Sequence, residues 1–377
     1  MNVLIIGPHP PLKGGISDFN HQLYLHLKEF KNCYLISFDR NYPFFLRNKK
    51  KQISSQKKEN KNILKINPYN PFTWWKIKRL IKEKEINYVI TTYWTPITGL
   101  AYLLINKSYT LNTKKIGLFH NVFPHENYLF SKIILRLYIN SLDTIITLSE
   151  QTSKQIKSFS KRESQTLFHP IDDLKMASKE ESLRKLKLNK NNKYILFLGM
   201  IRKYKGLELL LKSFKNIIDF DNKIKLIIAG EFIENKKKYI NLIDKLSLKN
   251  HVIFSNGFIR KRDIKYYMGA SEIIVQPYIT ATQSGITALS ISFEKINVTT
   301  GEGGIKEMIN NENGYICRKD YESISKNIIK ALTSNNSKKL KNLSTLKKKF
   351  SWNNFCEELL KNLDWKKSFT LLYYLLI

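Results

Sequence analysis

The sequence predicts an α/β protein made of two open parallel sheets, each flanked by helices. Three observations predict it. Short apolar runs of strand length alternate with longer amphipathic stretches through most of the 377 residues, the pattern of βα units on a parallel sheet. The alternation breaks once near the middle and then resumes, so the chain is long enough for two cores and patterned for two. Finally, Ile195, Leu196, Phe197 and Leu198 are followed by Gly199, and then by Leu207, Leu210, Leu211 and Phe214 at helical spacing. That is a buried strand, a turn and an amphipathic helix.

In chain order, residues 3–6 form a first strand, and Gly14 and Gly15 end the loop after it. Residues 16–30 form a helix with Phe19, Leu23, Leu27 and Phe30 on one face. Residues 34–38 are a strand, and the lysine-dense stretch 47–62 is a surface loop. Strands over 88–92, 116–119 and 144–147 alternate with helices over 98–105 and 131–140, and Ser149 caps a further helix. The pattern breaks at His169-Pro-Ile-Asp-Asp173 and is charged and turn-rich to Asn192. Residues 1–173 are therefore expected to form a first domain and 174–192 a linker. Residues 193–350 form a second domain, and 351–377 a terminal helix with an apolar tail that packs back on the first. In the second domain, strands over 194–198, 225–229, 252–254, 273–276 and 297–300 alternate with helices over 206–219, 237–245, 262–269, 284–293 and 305–309. Two sheets of this kind imply a cleft, a usual place for ligands.

The chain carries 64 Lys+Arg against 31 Asp+Glu, a formal net charge of +33. Such an excess attracts an anionic partner: nucleic acid, acidic lipid or a phosphorylated substrate. Its lysine and asparagine bias is also what a compositionally biased genome produces, so charge does not single out nucleic acid. Cys33, Cys317 and Cys356 are distant and odd in number, which excludes a disulfide scaffold and points to a reducing compartment. The N-terminal run reads as a strand, not a signal peptide, and no apolar run reaches the ~20 residues of a spanning helix.

The turn after the first strand of the second domain holds Arg202 and Lys205 between Gly199 and Gly206. Cations at the carboxyl end of a parallel sheet, facing a helix start, suit a diphosphate. A solvated basic loop is the plain alternative. The motifs that follow decide between them. Ile227-Ile-Ala-Gly230, Val252 to Phe258, Ala270 to Tyr278, Gln283-Ser-Gly-Ile286, Gly303-Gly-Ile-Lys-Glu307, Asn313-Gly-Tyr315 and Phe350-Ser-Trp352 occur in that order. In this order they resemble the GT-B-fold glycosyltransferases, specifically the large retaining group called family four, or glycosyl transferases group 1. Gly14-Gly15 and His120-Asn121 are similar to that family's double-glycine loop and active-site histidine. The resemblance covers roughly residues 1–365.

It implies two Rossmann-like domains and transfer of a sugar from a UDP- or GDP-linked donor. Arg202 and Lys205 would hold the leaving diphosphate, and His120 would hydrogen-bond the donor sugar. Gly14, Gly15, Gly199, Phe258 and Glu307, with the backbone amides of Ser284, Gly285 and Ile286, would complete the donor site. His125 and Glu126 would lie on the acceptor side, or cap the following segment. His9 and His169 are expected to serve local turns. Neither a metal nor a resident cofactor is expected. Family members often carry two glutamates eight positions apart near the diphosphate loop; here those positions hold Ala281 and Leu289. Neither side chain accepts a hydrogen bond, and Thr282, Gln283 and Glu307 are the nearby substitutes.

Lys49-Lys-Lys51 and Lys57-Lys58 form a polybasic stretch, and Trp74-Trp75 stands beside Lys76 and Lys78. Either set is an ordinary surface or core feature alone. Together they suit an anionic membrane face, hence a peripheral location on the inner face of the plasma membrane and a glycan or lipid-linked acceptor in surface polysaccharide synthesis. Two rivals remain: a non-catalytic protein that binds an anionic polymer, and a sugar-nucleotide epimerase on the same fold.

Overall fold

The computed structural model describes residues 1–41, 43, 53, 63–109, 112–123, 130–281 and 284–375, with side chains as far as residue 363. The chain forms two compact units, Met1–His169 with Trp352–Ile377, and Pro170–Ser351.

The first unit is a seven-stranded sheet in the order β3-β2-β1-β4-β5-β6-β7. Its strands are β1 (Asn2–Gly7), β2 (Asn32–Phe38), β3 (Leu64–Ile66), β4 (Tyr88–Tyr93), β5 (Lys114–Phe119), β6 (Thr144–Thr147) and β7 (Gln165–Thr166). Every pair is parallel. The helices are α1 (Gly15–Phe30), α2 (Trp75–Glu83), α3 (Pro96–Ser108), α4 (Ser131–Asn140) and α5 (Glu150–Ser160). β1 shows why its apolar run is unbroken. Successive side chains of a strand point to opposite faces. Leu4 and Ile6 enter one core, with α2, α3 and α4. Val3 and Ile5 enter the other, with α1 and the terminal helix Trp352–Leu375. Ser149 caps α5, its Oγ accepting the Thr152 amide at 3.2 Å. Of the tryptophan pair, Trp74 belongs to the core while Trp75 stays exposed.

The second unit is a six-stranded parallel sheet in the order β10-β9-β8-β11-β12-β13. Its strands are β8 (Lys193–Leu198), β9 (Ile224–Gly230), β10 (Val252–Asn256), β11 (Ile273–Gln276), β12 (Asn297–Thr299) and β13 (Tyr315–Ile316). The helices are α6 (Lys179–Lys185), α7 (Leu207–Phe220), α8 (Lys236–Lys245), α9 (Ile264–Ala270), α10 (Gly285–Ser292), α11 (Ile305–Met308), α12 (Tyr321–Thr333) and α13 (Ser337–Lys349). Residues 174–192, expected as a linker, are part of this unit. They form α6, whose Leu183 is buried in its core, with Leu186 and Leu188 packed against it.

In each sheet the strand order reverses once, beside β1 and beside β8. The crevices at these switch points, outside the carboxyl ends of β1 and β4 and of β8 and β11, are where open α/β sheets bind ligands.

Candidate functional site

At the second switch point, β8 runs into Gly199, then a 3-10 turn at Lys203–Lys205, then Gly206 and α7. Both glycines have positive φ, 106° and 71°, a region that disfavours side chains. Space also demands them. A Cβ on Gly206 would lie 1.9 Å from the Pro277 carbonyl oxygen, and one on Gly199 would lie 2.9 Å from Lys205 Nζ. The turn is pinned on both flanks. Ile201 N–H donates to Glu231 O at 2.8 Å, and Ile279 N–H to Tyr204 O at 2.7 Å.

The three cations of the turn differ sharply. Lys203 and Arg202 are exposed, and the Lys203 amide donates to the Glu234 carboxylate. Lys205 is only 8% exposed, and its ammonium lies 5.5 Å from the centre of the Tyr278 ring. Burial lowers its pKa below the usual lysine value; Tyr204 opposes this and Arg202 adds to it. Arg202 therefore meets solvent, whereas Lys205, in the same turn, is largely withdrawn from it. The reason is Tyr278, just after β11, and Ile286 of α10, brought against Lys205 and Gly199.

Beside the turn stands a network that sequence reasoning did not single out. Gln276, the last residue of β11, is buried. Its Nε2 donates to Ser284 Oγ at 2.9 Å, and its Oε1 accepts from Thr287 Oγ1 at 3.0 Å and from Asn297 Nδ2 at 2.5 Å. Ser284 caps α10 by accepting the Ile286 amide at 3.2 Å, and its hydroxyl lies 3.4 Å from the Tyr278 hydroxyl. Burial raises the Tyr278 pKa, and the bonds to Ser284 and Gln276 partly offset this. The Ile286 amide, expected to face a phosphate, is thus already used by Ser284. Gly285 beside it has nothing within 4 Å of where a Cβ would stand. The available signal was a lone glutamine ending an otherwise apolar strand.

Glu307 lies in the single turn of α11 with an exposed side chain, and Phe258 is exposed just after Gly257, whose φ is 93°. Leu289 packs on the core of the unit. Thr282 and Gln283 lie outside the described residues.

In the first unit, Gly14 and Gly15 open α1, and a Cβ on either would meet nothing within 4 Å. His120 follows β5, and its amide donates to Tyr93 O at 3.1 Å. Its ring meets Phe19 edge-on at 4.5 Å and lies 5.9 Å from the ring of His169. His120 Nε2 and Asn121 Oδ1 are buried and make no hydrogen bond among the described residues. Burial, then the neighbouring His169, hold the His120 pKa well below the usual histidine value, which favours the neutral ring. His169 thus belongs beside His120 rather than only to its own turn. His9 bonds Pro10 O through Nδ1 and His21 Nδ1 through Nε2, both at 2.8 Å. His125 and Glu126 lie outside the described residues, as do Lys49–Lys51 and Lys57–Lys58. Among the described residues no group of three or more His, Cys, Asp or Glu is placed to hold a metal ion, and no helix is long and apolar enough to cross a membrane.

Comparison with known proteins adds the family. Residues 178–350 match the model of the glycosyl transferases group 1 family. The chain is 30% identical over 205 residues to an uncharacterized glycosyltransferase, MJ1059, of Methanocaldococcus jannaschii, spanning 48% of this chain and half of that relative. It is 28% identical over 291 residues to an uncharacterized glycosyltransferase of Haemophilus influenzae, spanning 76% of each. Among solved structures, Anabaena Alr3699/HepE in complex with UDP superposes with a TM-score of 0.72 at 14% identity, over 97% of this chain and all of that one. The lipopolysaccharide outer core galactosyltransferase WaaB, in its apo form, superposes with a TM-score of 0.72 at 12% identity over the same shares. At such identities the superpositions speak for the fold. The chain has the GT-B fold, and its residues 178–350 match the glycosyl transferases group 1 family that its motif order resembles.

Proposed function

We propose that the chain is a glycosyltransferase that moves a sugar from a nucleotide sugar to a glycan or lipid-linked acceptor. Transfer proceeds with retention and without a metal or resident cofactor, in surface polysaccharide synthesis at the inner face of the plasma membrane. The observation that carries the reading is the turn Gly199–Gly206 at the second switch point, with Arg202 exposed and the Lys205 ammonium against Gly199. Solved complexes of Anabaena Alr3699/HepE with UDP and with UDP-glucose support a nucleotide-sugar donor. The surface-polysaccharide role follows by analogy with the family.

The chemistry follows from charge. As the bond from the anomeric carbon to the β-phosphate oxygen breaks, negative charge gathers on the diphosphate. Arg202 offers a planar fork of donors and Lys205 a point charge in a poorly solvated place, where it acts more strongly than in water. The acceptor oxygen bonds the anomeric carbon on the face the diphosphate leaves, and its proton passes to the leaving phosphate. No protein base is needed. Neutral His120 suits a hydrogen bond to a sugar hydroxyl, since it can donate or accept.

The test is a set of three variants in one turn. Arg202→Ala and Lys205→Ala should each lower turnover at least ~100-fold, as loss of ~2.7 kcal/mol of transition-state stabilisation does. Lys203→Ala should be near neutral. Equal damage from all three would make the effect one of general loop charge, and normal transfer by all three would place the phosphate site elsewhere. The net charge of +33 favours the rival reading of an anionic-polymer binder. Calorimetric titration with nucleoside diphosphates against oligonucleotides separates the two.

A further inference from the structure

We infer that α3 and α4 of the first unit form a docking face for an anionic lipid bilayer. The two helices lie side by side and run parallel. A Cβ on Gly99 would stand 3.8 Å from the Ile134 methyl, the rings of Tyr102 and Tyr138 are 5.9 Å apart, and Asn106 Nδ2 donates to Ser141 Oγ at 3.2 Å. Each contact links residues 35 or 36 positions apart, so the helices keep level along their length. Their inner sides pack in the same core, through Leu103 and Ile105 on α3 and Leu135 and Ile139 on α4. Their outer sides therefore share one surface.

That surface is apolar where a soluble helix is usually polar. Leu100 and Leu104 are exposed one turn apart on α3, and Ile133 and Leu137 one turn apart on α4. Phe130, just before α4, is 65% exposed. Isolated exposed leucines need no explanation, but two paired rows on adjoining helices, with a phenylalanine beside one of them, are more than scattered residues. The charges on these helices choose the occupant. Neither α3 nor α4 contains an aspartate or glutamate, while Lys107, Lys132 and Arg136 are exposed on them. Exposed apolar side chains on helices whose charged residues are all cations match the interior and the headgroups of an anionic leaflet. A second copy of the chain would bring the same cations together. This deepens the membrane side of the reading above, on which its biological sense rests; the binding test needs no acceptor.

The test floats the full chain with vesicles of phosphatidylcholine alone and with vesicles of phosphatidylcholine and phosphatidylglycerol in equal parts. The wild-type chain should float with the anionic vesicles and be released by high salt. Leu100→Ser with Ile133→Ser and Leu137→Ser should weaken partitioning at least about tenfold, with an unchanged melting temperature because all three side chains are exposed. Lys107→Gln with Lys132→Gln should weaken binding to the anionic vesicles as well. Undiminished flotation of the serine variant overturns the proposal. So does a wild-type dimer in light scattering that the serine variant converts to monomer, because the face would then belong to a second copy. Titration with UDP and GDP runs in parallel. A serine variant that floats and binds nucleotide sinks the docking face alone. A wild-type chain that floats but binds no nucleotide sinks the transferase reading alone.

Discussion

Lys205 holds a charge where the fold makes a charge costly. Its pKa is lowered chiefly by burial, so folding makes the charged form less favourable than it is in the unfolded chain. Between that lowered pKa and the ordinary lysine value the unfolded chain binds more protons, and stability attributable to this group rises with pH. Lys205→Met should therefore leave the melting temperature of the ligand-free protein unchanged or raise it, because it removes a buried cation. An arriving diphosphate favours the charged form, so binding at a pH near that lowered pKa takes up a proton at Lys205. Affinity for a nucleoside diphosphate should then fall as pH rises through the lowered pKa, by at most about tenfold per pH unit. Calorimetry in buffers of different ionisation enthalpy should detect the proton uptake, and Lys205→Met should abolish it. A pH-independent affinity in the wild-type chain would refute the coupling. The sequence placed this lysine in the right turn. Its burial was not legible there, because Tyr278 and Ile286 come from distant elements. Gln276 was hidden for the same reason: its three side-chain partners lie on α10, at its cap and on β12.

Elements were legible where their pattern was internal. Buried central strands such as β1, β8 and β11 announce themselves as apolar runs, and α1 and α7 as amphipathic stretches. β3, β7 and β13 have three, two and two residues and one neighbour each in the sheet. Such strands are defined by that neighbour, not by a pattern of their own. α6 was missed because its sequence, KEESLRK, offers a single buried leucine. Two glycines now separate folding from ligand binding. Gly206→Ala should cost at least ~2 kcal/mol, from a left-handed φ and a collision with the Pro277 carbonyl. Gly15→Ala should cost nothing in a thermal melt, since its φ is not left-handed and its Cβ would meet open space. If donor phosphates approach the start of α1, Gly15→Ala should still reduce turnover. Normal turnover there would remove Gly15 from the donor site.

Across the whole molecule, two sheets with one reversal each follow from the repeated βα alternation, and the sequence shows it twice. The boundary was placed too late for the second unit, which begins at Pro170, because charged, turn-rich residues look like a linker whether or not they pack. The molecule carries a large positive excess, and the proposed mechanism gives cations and amides the work of holding the diphosphate. Transfer should therefore survive EDTA. Loss of activity on chelation, restored by Mg²⁺ or Mn²⁺, would refute that account.

The terminal helix has a consequence for how the protein is made. It returns to the first unit and supplies Trp352, Phe355, Cys356, Leu359, Leu360 and Leu363 to a core that also holds Phe19, Leu23 and Leu27. The second unit, Pro170–Ser351, lies wholly between these segments. Domains generally complete themselves in order of emergence from the ribosome. Here the order inverts. The second unit has its entire sequence once Ser351 clears the exit tunnel, whereas the first still lacks one wall of its core. The unit synthesised first is the last to close, and through that interval its unpaired apolar face is what a nascent-chain chaperone would hold.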